Sequence, residues 1–362
     1  MRQVREVAQA HASNLVKTVK AATDRSDEIV PVRSHDGVAC ELIHVRGSRR
    51  PRRGPVVLVH GAGVRANIFR APVRETLVDY LLRDGWDVWL ENWRACIDFK
   101  PREWTLDEAA AYDHPRAVET ILERTGADEL RAVIHCQGST SFAMAAAAGL
   151  LPRVSVIVSN AVSLHPVIPA WSHAKLRYAV GMLRALKQLY LDPSWGKKHV
   201  TGLPALIRAG VDIVHRECEN DVCKLVSFTY GAGFPALWDH RLLNDATHDW
   251  LRDEFGWVPI SFFDQITRSV NAGELIPTAN AIPADYLAQP KTAARFALLA
   301  GARNHCFLPE SQVRTHAYLR ANTGRTDHTL HVLPQYGHLD VFMGQYAATD
   351  VFPLIARELA AA

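Results

Sequence analysis

Val133-Ile134-His135-Cys136-Gln137-Gly138-Ser139-Thr140 is the stretch whose reading decides the fold. Apolar residues from Leu130 to Ile134 predict a strand. Small residues then predict a tight turn, and the alanine-rich run Ser141 to Leu150 predicts a helix. A side chain at such a junction stands on a sharp strand-to-helix turn, with a helix N-terminus beneath it. The residue at the tip is Cys136. A thiol there gains from the helix dipole, so a lowered pKa is expected, and Cys136 should be the most readily alkylated of the six cysteines. The Gln137 N–H is placed to meet a developing oxyanion. A lone cysteine beside a glycine turn is more often a buried structural residue, so this reading needs a base and a second donor elsewhere.

Working outward, Val56 to Val59 predicts a buried strand that runs directly into His60-Gly61-Ala62-Gly63. A glycine-rich turn at a strand end lets a backbone N–H face the site, and Ala62 is the candidate donor. Near the C-terminus, His328 to Leu333 predicts a strand followed by Pro334-Gln335-Tyr336-Gly337-His338-Leu339-Asp340. His338, on the loop after the last strand, is the candidate base.

With 362 residues, 48% hydrophobic and 22% charged, the chain suits one large domain, or a core with an inserted cap. The net charge is only +3. The one dense basic cluster, Arg49 to Arg53, lies between two strands without interleaved aromatics, which fits a solvated loop and argues against a nucleic-acid partner. No run approaches the ~18 apolar residues of a membrane span. Residues 1–24 read as an amphipathic N-terminal helix, not a secretory signal. The cysteines (40, 96, 136, 218, 223, 306) are therefore expected to be reduced thiols in the cytoplasm. Cys218 and Cys223 lack a matching second cysteine pair, so no metal site is expected there. No dinucleotide fingerprint is present, and no cofactor is expected.

The segments alternate. Strands are expected at Glu28 to Arg33 and Ala39 to Val45, joined at Asp36-Gly37, then at Val56 to Val59, Trp86 to Trp93, Leu130 to Ile134 and Val154 to Val158. Helices are expected at Phe69 to Arg83 and at Leu106 to Arg124, the latter closed by Gly126. This is an α/β pattern with a mainly parallel sheet. From 165 to 278 the pattern becomes helical and aromatic, with Trp171, Trp195, Phe228, Trp238, Trp250, Trp257, Phe262 and Phe263 and no clear sheet strand. That segment reads as a lid inserted after the sixth strand, dividing a core of residues 25–164 and 279–362. Alternation resumes with a strand at Ala294 to Ala300, a helix at Ser311 to Asn322, a strand at His328 to Leu333 and a final helix.

Taken together, His60-Gly61-Ala62-Gly63, Trp93-Arg94, Trp104-Thr105-Leu106-Asp107, Tyr112-Asp113-His114-Pro115, His135-Cys136-Gln137-Gly138-Ser139, Phe307-Leu308-Pro309-Glu310-Ser311 and Tyr336-Gly337-His338-Leu339-Asp340 resemble the α/β-hydrolase superfamily. The set is most similar to the branch of polyhydroxyalkanoate-synthase-like proteins and cholesterol-oxidase-associated hydrolase modules. The resemblance implies an α/β-hydrolase fold, a Cys136–His338 pair and an ester-cleaving or acyl-transferring activity. It also marks two departures. Ile134 fills a position that the superfamily gives to a small residue, which predicts a slightly opened elbow. The slot for the acid, three residues past Gly301, holds Asn304. Glu310 is the nearest carboxylate and the rival third member, and Asp340 sits beside His338. The expected function is cysteine-dependent cleavage or acyl transfer on a bulky apolar ester or thioester. Cys136 is the nucleophile, His338 the base and Asn304 its orienting partner, and the Ala62 and Gln137 N–H groups hold the oxyanion. Two alternatives stand beside it. One is a lyase that expels acetate from an acetylated, tetronate-type intermediate. The other is a non-catalytic binding protein on the same fold. The sequence implies a small-molecule acyl substrate and leaves the oligomeric state open.

Overall fold

The computed structural model describes residues 25–161 and 164–361, so the expected helix over residues 1–24 lies outside the described residues. β1 (Ser26–Arg33) and β2 (Ala39–Arg46) form the expected hairpin, with Gly37 at φ 85° in its turn. Next come β3 (Pro55–Val59), β4 (Asp87–Asn92), β5 (Leu130–His135) and β6 (Val154–Asn160). A two-residue pair, β7 (Tyr190–Leu191) and β8 (Val258–Pro259), stands apart from the main sheet. β9 (Arg295–Gly301) and β10 (Thr329–Leu333) complete the strands. The main sheet has the order β1-β2-β4-β3-β5-β6-β9-β10. Its pairings are parallel from β4 to β10, with the β1–β2 hairpin antiparallel at one edge. Every residue of β3 and β9 is buried, as strands covered on both faces must be, and their runs Pro-Val-Val-Leu-Val and Arg-Phe-Ala-Leu-Leu-Ala-Gly are accordingly almost wholly apolar.

The helices differ from the sequence expectation mainly at their starts. α1 covers only Leu77–Asp84. Pro72 breaks the run from Phe69, which becomes a short 3-10 turn, and a capping box at Thr76 and Asp79 sets the true start. The expected helix from Leu106 forms as Leu106–Glu108 and one π turn, Ala109–Asp113, before α2 (His114–Thr125). Gly126 then ends it in the left-handed conformation. α3 (Cys136–Ala147) begins at Cys136 itself, not at Ser141.

Between β6 and β9 lie α4 (Ala170–Ala185), α5 (Leu203–Val214), α6 (Asp221–Tyr230), α7 (Asp245–Glu254) and α8 (Ile260–Ala272). The β7–β8 pair also falls here; two residues a side is too short to show in a sequence pattern. Asp107 fastens the end of this insertion to the core. Its carboxylate accepts hydrogen bonds from the Thr278, Ala279 and Ala281 N–H groups and from the Gln265 side chain. α9 (Pro309–Asn322) and α10 (Phe352–Ala360) close the fold. Among the described residues no helix is long and apolar enough to cross a membrane.

Candidate functional site

The parallel strands end on a common edge, and the loops leaving β3, β5, β6, β9 and β10 meet there. Cys136 follows β5 directly at φ 55°, a backbone conformation that costs a non-glycine residue energy and that surrounding contacts must enforce. Two glycines make those contacts possible. A Cβ on Gly138 would sit 2.1 Å from the His60 carbonyl oxygen, and one on Gly61 would sit 2.8 Å from the Cys136 Cβ. The turn after β3 and the elbow after β5 therefore press against one another with no room for a side chain. In that arrangement the N–H groups of Ala62 and Gln137 lie on the side of the Cys136 sulfur and favour its ionised form. Ile134 is fully buried in the sheet, and despite its bulk both N–H groups still act on the sulfur.

A buried polar frame holds this turn from behind. The Trp93 indole donates to the His60 carbonyl at 2.9 Å. Arg94, almost wholly buried, forks onto Asp113 at 2.9 and 2.7 Å and reaches Asp36 at 2.9 Å. His114 bridges Glu91 and Ser141, at 2.8 and 2.7 Å, and so ties α2 to β4 and α3. The motif residues 93–94 and 112–115 are thus scaffold, not reacting groups.

The structure brings His338 and Asn304 together at the same edge. The Asn304 Nδ2 lies 3.0 Å from the His338 Nδ1, and the Nε2 is buried without a hydrogen-bond partner. The donor atoms of His338, Cys136 and His135 all lie within 4.8 Å of one another. Asn160, at the end of β6, donates to the His338 carbonyl at 2.9 Å and lies 2.9 Å from the His135 Nδ1. Sequence reasoning missed Asn160; its one signal was an amide ending an apolar strand.

The orientation of Asn304 carries chemical meaning. Its Oδ1 accepts hydrogen bonds from the Cys306 and Phe307 N–H groups, at 2.9 and 3.3 Å. The amide nitrogen therefore faces the imidazole, and an N–H donor opposite Nδ1 fits the tautomer that carries its proton on Nε2. For His338 to accept a proton, Nδ1 must hold one, and the Asn304 amide must turn to present its oxygen.

Charge is suppressed throughout this site. Burial pushes the Cys136 thiol up to about 12, and the hydrogen bonds from Gln137 and Ala62 offset only part of that. Burial holds His338 down to about 3. The expectation of a thiolate stabilised by the helix dipole is overturned: in a dry site desolvation outweighs the dipole, and the pair rests uncharged. Glu310 is also displaced from its expected role. It lies half exposed on the first turn of α9, accepting a hydrogen bond from Arg314 at 3.0 Å. The Asp340 oxygens accept from the Gly337 and Asp239 N–H groups at 2.7 and 2.9 Å, so Asp340 shapes the turn that carries His338.

A cavity of about 40 Å³ opens at Cys136 and Gln137, walled on its far side by Leu176, Tyr230, Phe262, Phe263 and Ile266 of the insertion. A second, open groove of about 880 Å³ runs between α4, α5 and α6, lined by Trp171, Tyr178, Met182, Leu206, Val214 and Phe228 among others. Lys175 lines both and donates to the Phe228 and Gly231 carbonyls. Of the expected aromatics, Phe262 and Phe263 face the cavity and Trp171 and Phe228 the groove, whereas Trp195, Trp238 and Trp257 are buried within the insertion.

The family model for the α/β hydrolase fold matches residues 54–201. Sterol esterase 2 of Saccharomyces cerevisiae is 28% identical over 126 residues, covering 30% of this chain and 23% of its own length. Human lipase member K is 34% identical over 111 residues, covering 27% and 28%. The chain thus spans about a quarter of the length of these curated relatives. Among solved structures, an esterase from Thermogutta terrifontis superposes with a TM-score of 0.55 at 14% identity, covering 92% of this chain and 99% of the esterase. An epoxide hydrolase from Vigna radiata gives 0.52 at 14% identity, covering 91% and 97%. The chain has the α/β-hydrolase fold, with a mainly parallel central sheet flanked by helices.

Proposed function

We propose that this chain cleaves or transfers the acyl group of a bulky, apolar ester or thioester through Cys136 and His338. The observation that carries the reading is the unpartnered Nε2 of a buried His338 close to the Cys136 thiol, on which the Ala62 and Gln137 N–H groups act. A buried polar atom without a partner is uncommon and asks for a role. In the proposed cycle the Asn304 amide turns to accept from Nδ1–H, and Nε2 takes the Cys136 proton as the sulfur attacks the carbonyl carbon. The Ala62 and Gln137 N–H groups then stabilise the oxyanion, and the alcohol or thiol leaves with that proton. Water or an acceptor alcohol resolves the acyl-enzyme. Turning the amide leaves the Cys306 and Phe307 N–H groups unmatched, at about 1–3 kcal/mol for each.

The helical insertion acts as a lid in this reading. The 40 Å³ cavity is too small for a long acyl group, so the chain must run past Lys175 into the open groove. Burial lowers Lys175 to about 8, so the ammonium is held less firmly than a free lysine and its two carbonyl contacts are what must be given up when it moves aside. The esterases and lipases among the relatives, and the motif resemblance to polyhydroxyalkanoate-synthase-like proteins, support an acyl substrate. The test is a series of p-nitrophenyl esters of rising chain length, followed by intact-protein mass spectrometry. Turnover that rises with chain length and an acyl adduct mapped to Cys136 support the proposal. Preference for acetate esters, or no adduct under single-turnover conditions, refutes it.

A further inference from the structure

We propose that Cys218, Cys223, His240 and His248 form a tetrahedral site for one structural zinc ion that fastens the helical insertion. The four residues come from four places: the loop after α5, the first turn of α6, the short turn His240–Leu242, and α7. Their donor atoms lie within 4.8 Å of one another. The Cys218 Sγ is 3.4 Å from the His248 Nε2, and the Cys223 Sγ is 3.3 Å from the His240 Nε2. Zinc bonds of about 2.3 Å to sulfur and about 2.0–2.1 Å to nitrogen give a tetrahedral S···N edge of about 3.6 Å, so a small expansion admits the ion. Two thiols and two imidazoles are the donor set of closed structural zinc sites.

The surroundings resemble a ligand shell held ready. The Asn220 N–H donates to the Cys218 sulfur at 3.3 Å, and its side-chain amide donates to the His248 carbonyl at 2.7 Å. The Asn220 Oδ1 also caps α6, accepting from the Val222 and Cys223 N–H groups. One residue therefore orients three of the four ligands, which is the work of outer groups in metal sites. No spacing in the sequence marks the set, because the two histidines reach the cysteines only through the tertiary fold.

The site's position gives it a consequence. α6 carries Tyr230 into the wall over Cys136 and Phe228 into the groove, and the cluster pins the start of that helix. Zinc would hold the roof of the substrate cavity without touching the reaction.

Protein expressed with zinc and purified without chelator is expected to carry about one zinc per chain, bound by two sulfur and two nitrogen donors in X-ray absorption. Cobalt(II) exchange should give the intense bands of a tetrahedral thiolate complex. Cys218→Ser and His248→Ala should lose the metal and melt earlier. Cys136→Ala should keep it in full, which separates this site from the catalytic reading. Because the first two variants risk misfolding, His240→Cys, which preserves four donors, should fold and retain the ion. Folded wild-type protein that holds less than about a tenth of an equivalent of zinc after metal supplementation overturns the proposal, as does a Cys218–Cys223 disulfide in the native protein.

Discussion

Cys136 stands at the end of a buried strand facing His338, whose Nε2 has no partner, whereas Cys218 lies in a half-exposed loop of the insertion with its sulfur 3.4 Å from His248. The residue types are the same and the environments are opposite. In the core, desolvation dominates and the thiol stays protonated. In the insertion, hydrogen bonds from neighbouring groups dominate and the thiol ionises readily. In the proposed cycle an uncharged cysteine beside the unpartnered Nε2 of His338 gives up its proton when a substrate arrives. In the proposed metal site a cysteine ringed by three further donors holds a cation. What a Cys–His pair does therefore follows from how much water and how many partners surround it.

The comparison breaks most sharply at Cys136. Cys136→Ala should reduce ester turnover by on the order of 10⁴-fold or more, as loss of a nucleophile does, while zinc content and melting temperature hold. If the variant retains turnover and the product has lost its hydroxyl instead of being hydrolysed, the lyase reading replaces the acyl-enzyme. His338→Ala should cost on the order of 100-fold or more, and Asn304→Ala less. Asn304→Asp should raise the rate by about 10-fold. A carboxylate can accept from Cys306, Phe307 and Nδ1–H together and offsets the imidazolium charge. Steady-state kinetics on folded protein decides the matter: a slower Asn304→Asp variant means that the amide donor to Nδ1 is required and that His338 is not the base.

The core and the insertion also differed in how plainly the sequence announced them. The β3 and β5 runs are short, apolar and followed at once by glycine-containing turns, so both strands and the place of Cys136 at the elbow were legible. His338 and Asn304 were legible by their places after β10 and β9. What escaped depends on contacts across the fold. Glu310 was near in sequence but turns to Arg314. Asn160 gains its meaning only beside His338. The helix dipole beneath Cys136 was read correctly, but the dryness that outweighs it depends on the insertion walling the cavity. The helix starts at Leu77 and Cys136 were set by a capping box and a glycine contact, both finer than hydrophobic periodicity.

Acid should expose the dryness of the core. Burial holds His60 and His338 down to about 3, His328 to about 4 and His135 well below its ordinary value. All four are neutral in the folded chain and take up protons on unfolding once the pH drops below about 6.5, the ordinary histidine value. The unfolded state then binds more protons, so this stability is complete above pH 6.5 and is lost as the pH falls towards the folded values. Asp340, pushed up to about 7, acts with the opposite sign and contributes most when protonated. The histidines outnumber it, so the melting temperature should fall steeply between pH 6.5 and 4.5. A flat profile would mean that these imidazoles can charge in place.

Alkylation gives a smaller effect that separates the two clusters. In metal-stripped protein, limited iodoacetamide should label Cys218 before Cys136, because Cys218 is half-exposed and ionises readily whereas Cys136 is buried and protonated. Zinc should protect Cys218 and leave the Cys136 rate unchanged. Peptide mapping that finds Cys136 labelled first would restore a preformed thiolate at the elbow and undo the electrostatic contrast.

The smallest effect is expected at a glycine of the insertion. Gly138, in the core, is pressed against the His60 carbonyl and tolerates no side chain, whereas a Cβ on Gly181, inside α4, would meet nothing within 4 Å. A glycine within a helix loses more backbone freedom on folding than an alanine does, by about 0.5–1 kcal/mol. Gly181→Ala should therefore stabilise the chain and raise the melting temperature by about 1–3 °C. Gly181 also adjoins Met182, which lines the large groove, so an added methyl group leaves the groove's apolar wall in place and turnover of long-chain esters should not change. A drop in melting temperature would show that α4 is packed against something at that face in solution. The groove would then be covered and not open, and the route proposed for the acyl chain would have to be redrawn.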